Sequence, residues 1–163
     1  MCSGTLYREI TTEKMHCSRK SSSVASPTST EGEPLDPPLS YRRWTVGSPA
    51  ELSSLRAQLR RLARLWALPE DCTDRIVMIV NELASNAIDH ARTACEVTVR
   101  HTRFFVRVLV ADDSPLPPRI PPHDVNAARG RGLQMVKALA SRWGWTARHR
   151  GKTVWAVVNC SEA

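Results

Sequence analysis

The sequence predicts an α+β fold in two layers, a mostly antiparallel sheet with helices on one face. Three observations carry that prediction. Leu52, Leu55, Leu59, Leu62 and Trp66, then Ile76, Val80, Leu83 and Ala87, recur at helical spacing in two consecutive stretches. β-rich runs come as adjacent pairs, 94–100 with 104–111 and 145–150 with 153–159, joined by connections too short for a crossover helix. A third helical stretch, 132–142, lies between the two pairs. Paired strands with helices between them favour a sheet covered on one side.

In chain order, residues 1–40 are read as a disordered tail. Ser, Thr and Pro make up 17 of them and large apolar residues stand singly, too few to offset the entropy of ordering. The folded domain is placed at 41–163, in keeping with one domain for 163 residues. Residues 41–46 have strand composition and end at Gly47. Ser48 as N-cap, Pro49 at the first helical position and Glu51 two further on mark a helix start. The leucine stripe that follows is expected to pack on the sheet, leaving Arg56, Arg60, Arg61 and Arg64 in solvent. Leu68-Pro69-Glu70-Asp71 breaks this helix, and a second runs over 72–91. Val106, Val108 and Val110 alternate as in a half-buried strand. Residues 113–129 hold five prolines and read as a lid or binding loop. A turn at Gly151-Lys152 joins the closing strands.

Composition bounds the function. Charged residues are 24% and apolar ones 42%, as in a globular protein. No apolar run approaches the roughly 20 residues of a membrane span. The start carries no apolar leader segment, so the cytoplasm is the expected location and no membrane partner is expected. The five cysteines lack metal-site spacing and are expected as free thiols without a functional role. Net charge is +7, and residues 41–163 alone carry +8. A basic surface can attract ATP, an acidic protein or nucleic acid, and does not choose among them.

Four segments carry candidate chemistry. In Val80-Asn81-Glu82-Leu83-Ala84-Ser85-Asn86-Ala87-Ile88-Asp89-His90-Ala91, Glu82, Asn86 and His90 are four apart and share a helix face. A carboxylate and a carboxamide one turn apart suit Mg²⁺, which keeps waters and phosphates in its shell. The carboxylate could also accept a hydroxyl proton. By spacing alone, such residues are most often simply solvated. Asp112 follows the inward parity of Val106, Val108 and Val110. A carboxylate entering a buried face needs a donor, and an adenine amino group would serve. An aspartate capping its own loop is the plainer alternative. Gly130-Arg131-Gly132-Leu133 opens a helix, where backbone N–H groups can approach a phosphate. Gly151-Lys152-Thr153-Val154-Trp155 is a turn into a strand, where the Thr153 hydroxyl could face a ligand.

Together and in this order, these segments resemble the N, G1, G2 and G3 boxes of the GHKL (Bergerat-fold) ATPases. The wording of VNELASNAIDHA, GRGLQMVKALASRWGW and GKTVWAVV is similar to the anti-sigma-factor serine/threonine kinase branch, over about residues 41–159. The resemblance implies an α/β sandwich with ATP between the helices and a mobile lid. It implies that Asn86 binds Mg²⁺, that Glu82 assists the attacking hydroxyl and that Asp112 hydrogen-bonds adenine. Gly130, Arg131, Gly132, Leu133 and Thr153 would line the nucleotide, with His90 added from the helix face. G1 departs from the DxGxG pattern, because Asp112-Asp113-Ser114-Pro115-Leu116 has lost both glycines. Two functions follow as expectations. One is a kinase acting on a STAS-domain anti-anti-sigma factor and binding a sigma factor. The other is a nucleotide-responsive binding module without useful kinase activity. Homodimerisation is left open. Nucleic acid is disfavoured, since no interleaved aromatic and basic motif appears.

Overall fold

The computed structural model describes residues 7–10, 40–91, 93–118 and 132–160. Among these residues the sheet has six strands in the order β1-β5-β6-β4-β3-β2, with every neighbouring pair antiparallel. The strands are β1 (Tyr7–Ile10), β2 (Ser40–Val46), β3 (Cys95–His101), β4 (Phe105–Asp112), β5 (Arg142–Ala147) and β6 (Lys152–Asn159). The helices are α1 (Pro49–Leu65), α2 (Glu70–Ala91) and α3 (Gly132–Leu139). This is the α+β arrangement that the paired strands predict.

Local chemistry explains where α1 begins. Ser48 is extended, and its side chain accepts from the Glu51 backbone N–H at 3.3 Å. Glu51 reaches back to Gly47 N–H at 2.7 Å, one residue before the N-cap that a reciprocal box would use. Leu52, Leu55, Leu59 and Leu62 are buried as expected, whereas Trp66 is half-buried and stacks on His101 with ring centroids 4.9 Å apart. From α2, Ile76, Val80, Leu83 and Ala87 enter the same core. They meet Val97 and Val99 of β3, Val106, Val108 and Val110 of β4, and Val154, Ala156 and Val158 of β6. Burial on this scale, at roughly 2–5 kcal/mol per core leucine truncated to alanine, fixes α2 against the central strands.

Three expectations are corrected. The third helix ends at Leu139 rather than 142, and the strand after it begins at Arg142 rather than 145. Ser141 N–H already donates to Val157 O at 2.8 Å, and Trp143 is 1% exposed, so the chain joins the sheet to bury that ring. The tail is not without structure throughout, because Tyr7–Ile10 pairs with β5 from Tyr7↔Thr146 to Ile10↔Trp143. The edge of β5 offers unpaired backbone groups that a four-residue strand can satisfy whatever its composition. Finally, two cysteines expected as free thiols, Cys72 and Cys160, form a disulfide with Cα atoms 5.5 Å apart. It ties the first turn of α2 to the end of β6, a proximity that sequence spacing does not reveal. Cys95 remains free and buried, and burial pushes its thiol up to about 11 with a smaller contribution from the charge of Asp112. It therefore stays protonated and unreactive near neutral pH.

Candidate functional site

Glu82 and Asn86 lie half-buried on the side of α2 that meets α3. Glu82 is held at one oxygen. Asn81 Nδ2 donates to Glu82 Oε1 at 3.3 Å, and the Asn81 side-chain oxygen Oδ1 accepts from Arg56 Nη1 at 2.8 Å. The other oxygen faces the start of α3. A Cβ on Gly132 would sit 2.6 Å from Glu82 Oε2 and 3.2 Å from Asn86 Nδ2. Only a residue without a side chain lets the α3 N-terminus come this close to both groups. Two of the four segments therefore meet through Gly132, and the orphan N–H groups of a helix start lie beside a carboxylate and a carboxamide.

The second focus is at the last residue of β4. Asp112 is 4% exposed and directly opposite Lys152 in the β4–β6 ladder. Lys152 Nζ donates to Asp112 Oδ1 at 2.8 Å, and Ser114 N–H donates to the same oxygen at 2.8 Å. The donor that a buried carboxylate requires comes from within the chain. The bond from Ser114, two residues on, also makes Asp112 the cap of its own loop, so the plainer alternative is realised as well. Both bonds fall on Oδ1, and among the described residues Oδ2 receives none.

Residues 46–158 match the family of histidine kinase-like ATPase domains. The chain belongs to that family. Its structure is similar to that of the RsbU and RsbW domains of Rv1364c from Mycobacterium tuberculosis, with a TM-score of 0.56 and 20% sequence identity. The similarity covers 74% of this chain and 32% of that one, so this chain spans about a third of that protein's length. At this identity the likeness is one of fold. No curated protein matches.

The residues of this ATPase domain fit the family's nucleotide. The lack of a side chain at Gly132 sets the α3 N-terminus, an end that favours negative charge, directly beside Glu82 and Asn86. Asp112 Oδ2 is an acceptor for an amino group. Among the described residues there is no cluster of three carboxylate, His or Cys ligands. The Asn86 carboxamide oxygen could still serve Mg²⁺ that fills most of its shell with phosphates and waters.

Not every expected residue joins the site. Thr153 lies on the opposite face of the sheet from Asp112. With Arg43, Glu96, Thr98, Arg100, Leu109, Ala111 and Arg148 it lines an open hollow of about 190 Å³. Strand parity is the reason: Val154, Ala156 and Val158 point into the core, so the inward residue at the start of β6 is Lys152. Leu133 is buried at 6% and belongs to the core. Gly130, Arg131 and most of the proline-rich loop lie outside the described residues, as does the His90 side chain. Sequence reasoning passed over Lys152, Ser114, Asn81 and Arg56. Only Lys152 had a signal, the alternation of β6, which the preference for a hydroxyl at Thr153 overrode.

Proposed function

We propose that this ATPase domain is a protein serine/threonine kinase that uses Mg-ATP to phosphorylate a STAS-domain anti-anti-sigma factor. In the same reading it sequesters a sigma factor when that antagonist is phosphorylated. The observation that carries the proposal is the positioned carboxylate of Glu82, braced by Asn81 and set against the start of α3. A domain that only bound nucleotide would not need a carboxylate fixed at the phosphate end.

In this reading Asp112 accepts a hydrogen bond from the adenine amino group, and the α3 N-terminus faces the phosphates. Asn86 supplies an oxygen to Mg²⁺, which neutralises phosphate charge when bound. Glu82 orients the partner's serine or threonine hydroxyl and takes its proton as the γ-phosphoryl group moves to that oxygen. The products are ADP and a phosphoester. Transfer of this kind rests on positioning and electrostatics, which suits a site built from helix ends and braced side chains. The similar structure includes an RsbW domain, which agrees with this reading.

Glu82→Gln tests it. The change keeps shape and removes the proton acceptor, so ATP affinity should stay close to wild type. Phosphorylation of a STAS partner captured with ATP present should fall about 10²-fold or more. A wild-type protein that binds ATP and the partner yet transfers nothing would leave a nucleotide-responsive binding module instead.

A further inference from the structure

We infer that Lys152 reads the purine ring, donating a hydrogen bond to the ring nitrogen beside the amino group that Asp112 accepts. The inference rests on the reading of the site as an ATP site and adds to it the residue that sets base selectivity.

A lysine pointing inward at the start of a strand is costly to desolvate. The Lys152 and Asp112 side chains are 9% and 3% exposed, and the N–O distance is 2.8 Å. Their juxtaposition is fixed by backbone. Gly151 has φ +76°, and a Cβ there would run into the Asp112 carbonyl, so the turn before β6 lies directly against the end of β4. The two side chains start from facing positions of the ladder.

Hydrogen-bond capacity then points to a ligand. An ammonium has three donors. One is used at 2.8 Å by Asp112, and a second reaches Ser114 O only at 3.5 Å. The third has no partner among the described residues. Among the same residues Asp112 Oδ2 likewise receives no donor. The pair thus offers one acceptor and one donor side by side. The six-position edge of adenine offers the complement, an amino donor next to the N1 acceptor. A 6-oxo purine presents the reverse order, a carbonyl facing the carboxylate and an N1–H facing the ammonium. A site holding a buried polar pair rejects a base that leaves it unmatched.

The test is calorimetric binding to the full-length protein with a set of triphosphates, together with Lys152→Met. The wild type should bind ATP about ten-fold or more tighter than 1-deaza-ATP, which has C–H in place of N1. It should discriminate against ITP at least as strongly. In Lys152→Met, ATP should weaken to the level of 1-deaza-ATP, while 1-deaza-ATP itself is little changed. Wild-type affinities for ATP and 1-deaza-ATP within two-fold of each other overturn the inference and leave the ATP site standing, and this comparison needs no variant to fold. Equal losses of both ligands in Lys152→Met also overturn it, since the lysine then acts only through Asp112. A wild-type protein that binds none of the triphosphates removes both the inference and the ATP reading.

Discussion

Replacing Gly132 by alanine should separate stability from activity, because the first should change little and the second greatly. The new Cβ would lie 2.6 Å from Glu82 Oε2 and 3.2 Å from Asn86 Nδ2. Carbon and oxygen need about 3.4 Å or more, so the carboxylate must retreat by close to 1 Å, on the order of the contact distances in ordinary packing. Both clashing atoms are ends of flexible side chains, and the Glu82 backbone does not have to move. Gly132 is the first residue of α3, so the helix-interior gain of alanine over glycine, up to about 1 kcal/mol, applies only in part, against a displaced rotamer of about 0.5–1.5 kcal/mol. The net change in stability should therefore stay within about 1 kcal/mol. A 1 Å misplacement of a positioned group can cost about 10²-fold in rate. Urea denaturation and a phosphotransfer assay on the same preparation read the two quantities. Full phosphotransfer by Gly132→Ala would show that Glu82 need not occupy this position. A stability loss above about 2 kcal/mol would show that Glu82 is wedged in place and cannot swing away, contrary to the flexible-side-chain argument.

Three further outcomes are expected. Asn86→Ala should weaken Mg-ATP binding far more than binding of metal-free ATP; calorimetry giving equal losses would remove its metal role. Reducing the Cys72–Cys160 disulfide, whose cysteines are 88 residues apart, should lower stability by up to roughly 4–5 kcal/mol on the chain-entropy estimate. An unchanged urea midpoint on adding reductant would count against the bridge. Burial holds the His101 imidazole below its ordinary value of 6.5, so the unfolded chain takes up the proton first and stability should fall as pH drops below about 6.5. Melting curves between pH 7 and 5 should show this decline, and His101→Gln should flatten it.

Much of the fold was legible because its signals are local and agree with one another. Leu52, Leu55, Leu59 and Leu62 are buried where the helical period puts them, and Ser48 caps the helix that they line. The alternation of Val106, Val108 and Val110 carries on to Asp112 as a buried residue. What was not legible depends on long-range pairing. Nothing near Tyr7–Ile10 announces a strand, because its partner is the edge of β5 over 130 residues away. The helix-to-strand boundary after Leu139 is likewise set by a bond from Ser141 to Val157 on another strand.

The candidate site divides along the same line. Glu82 and Asn86 share a face because a single helix enforces it, and Gly132 meets them because any side chain there would collide. At the base-binding end, chemistry and geometry pointed to different residues. A hydroxyl suggested Thr153, whereas parity with Val154, Ala156 and Val158 sends Lys152 inward to Asp112. Geometry decides, because turning Thr153 inward would shift β6 by one residue and expose its whole valine face. The consequence reaches beyond one residue. With both G1 glycines replaced, the loop after Asp112 is held by the Ser114 N–H bond to that carboxylate, and the same carboxylate holds Lys152. A single buried oxygen therefore closes the loop and positions the cation. Asp112→Asn would weaken both bonds at once, and it should loosen the loop and relax base selectivity together rather than either alone.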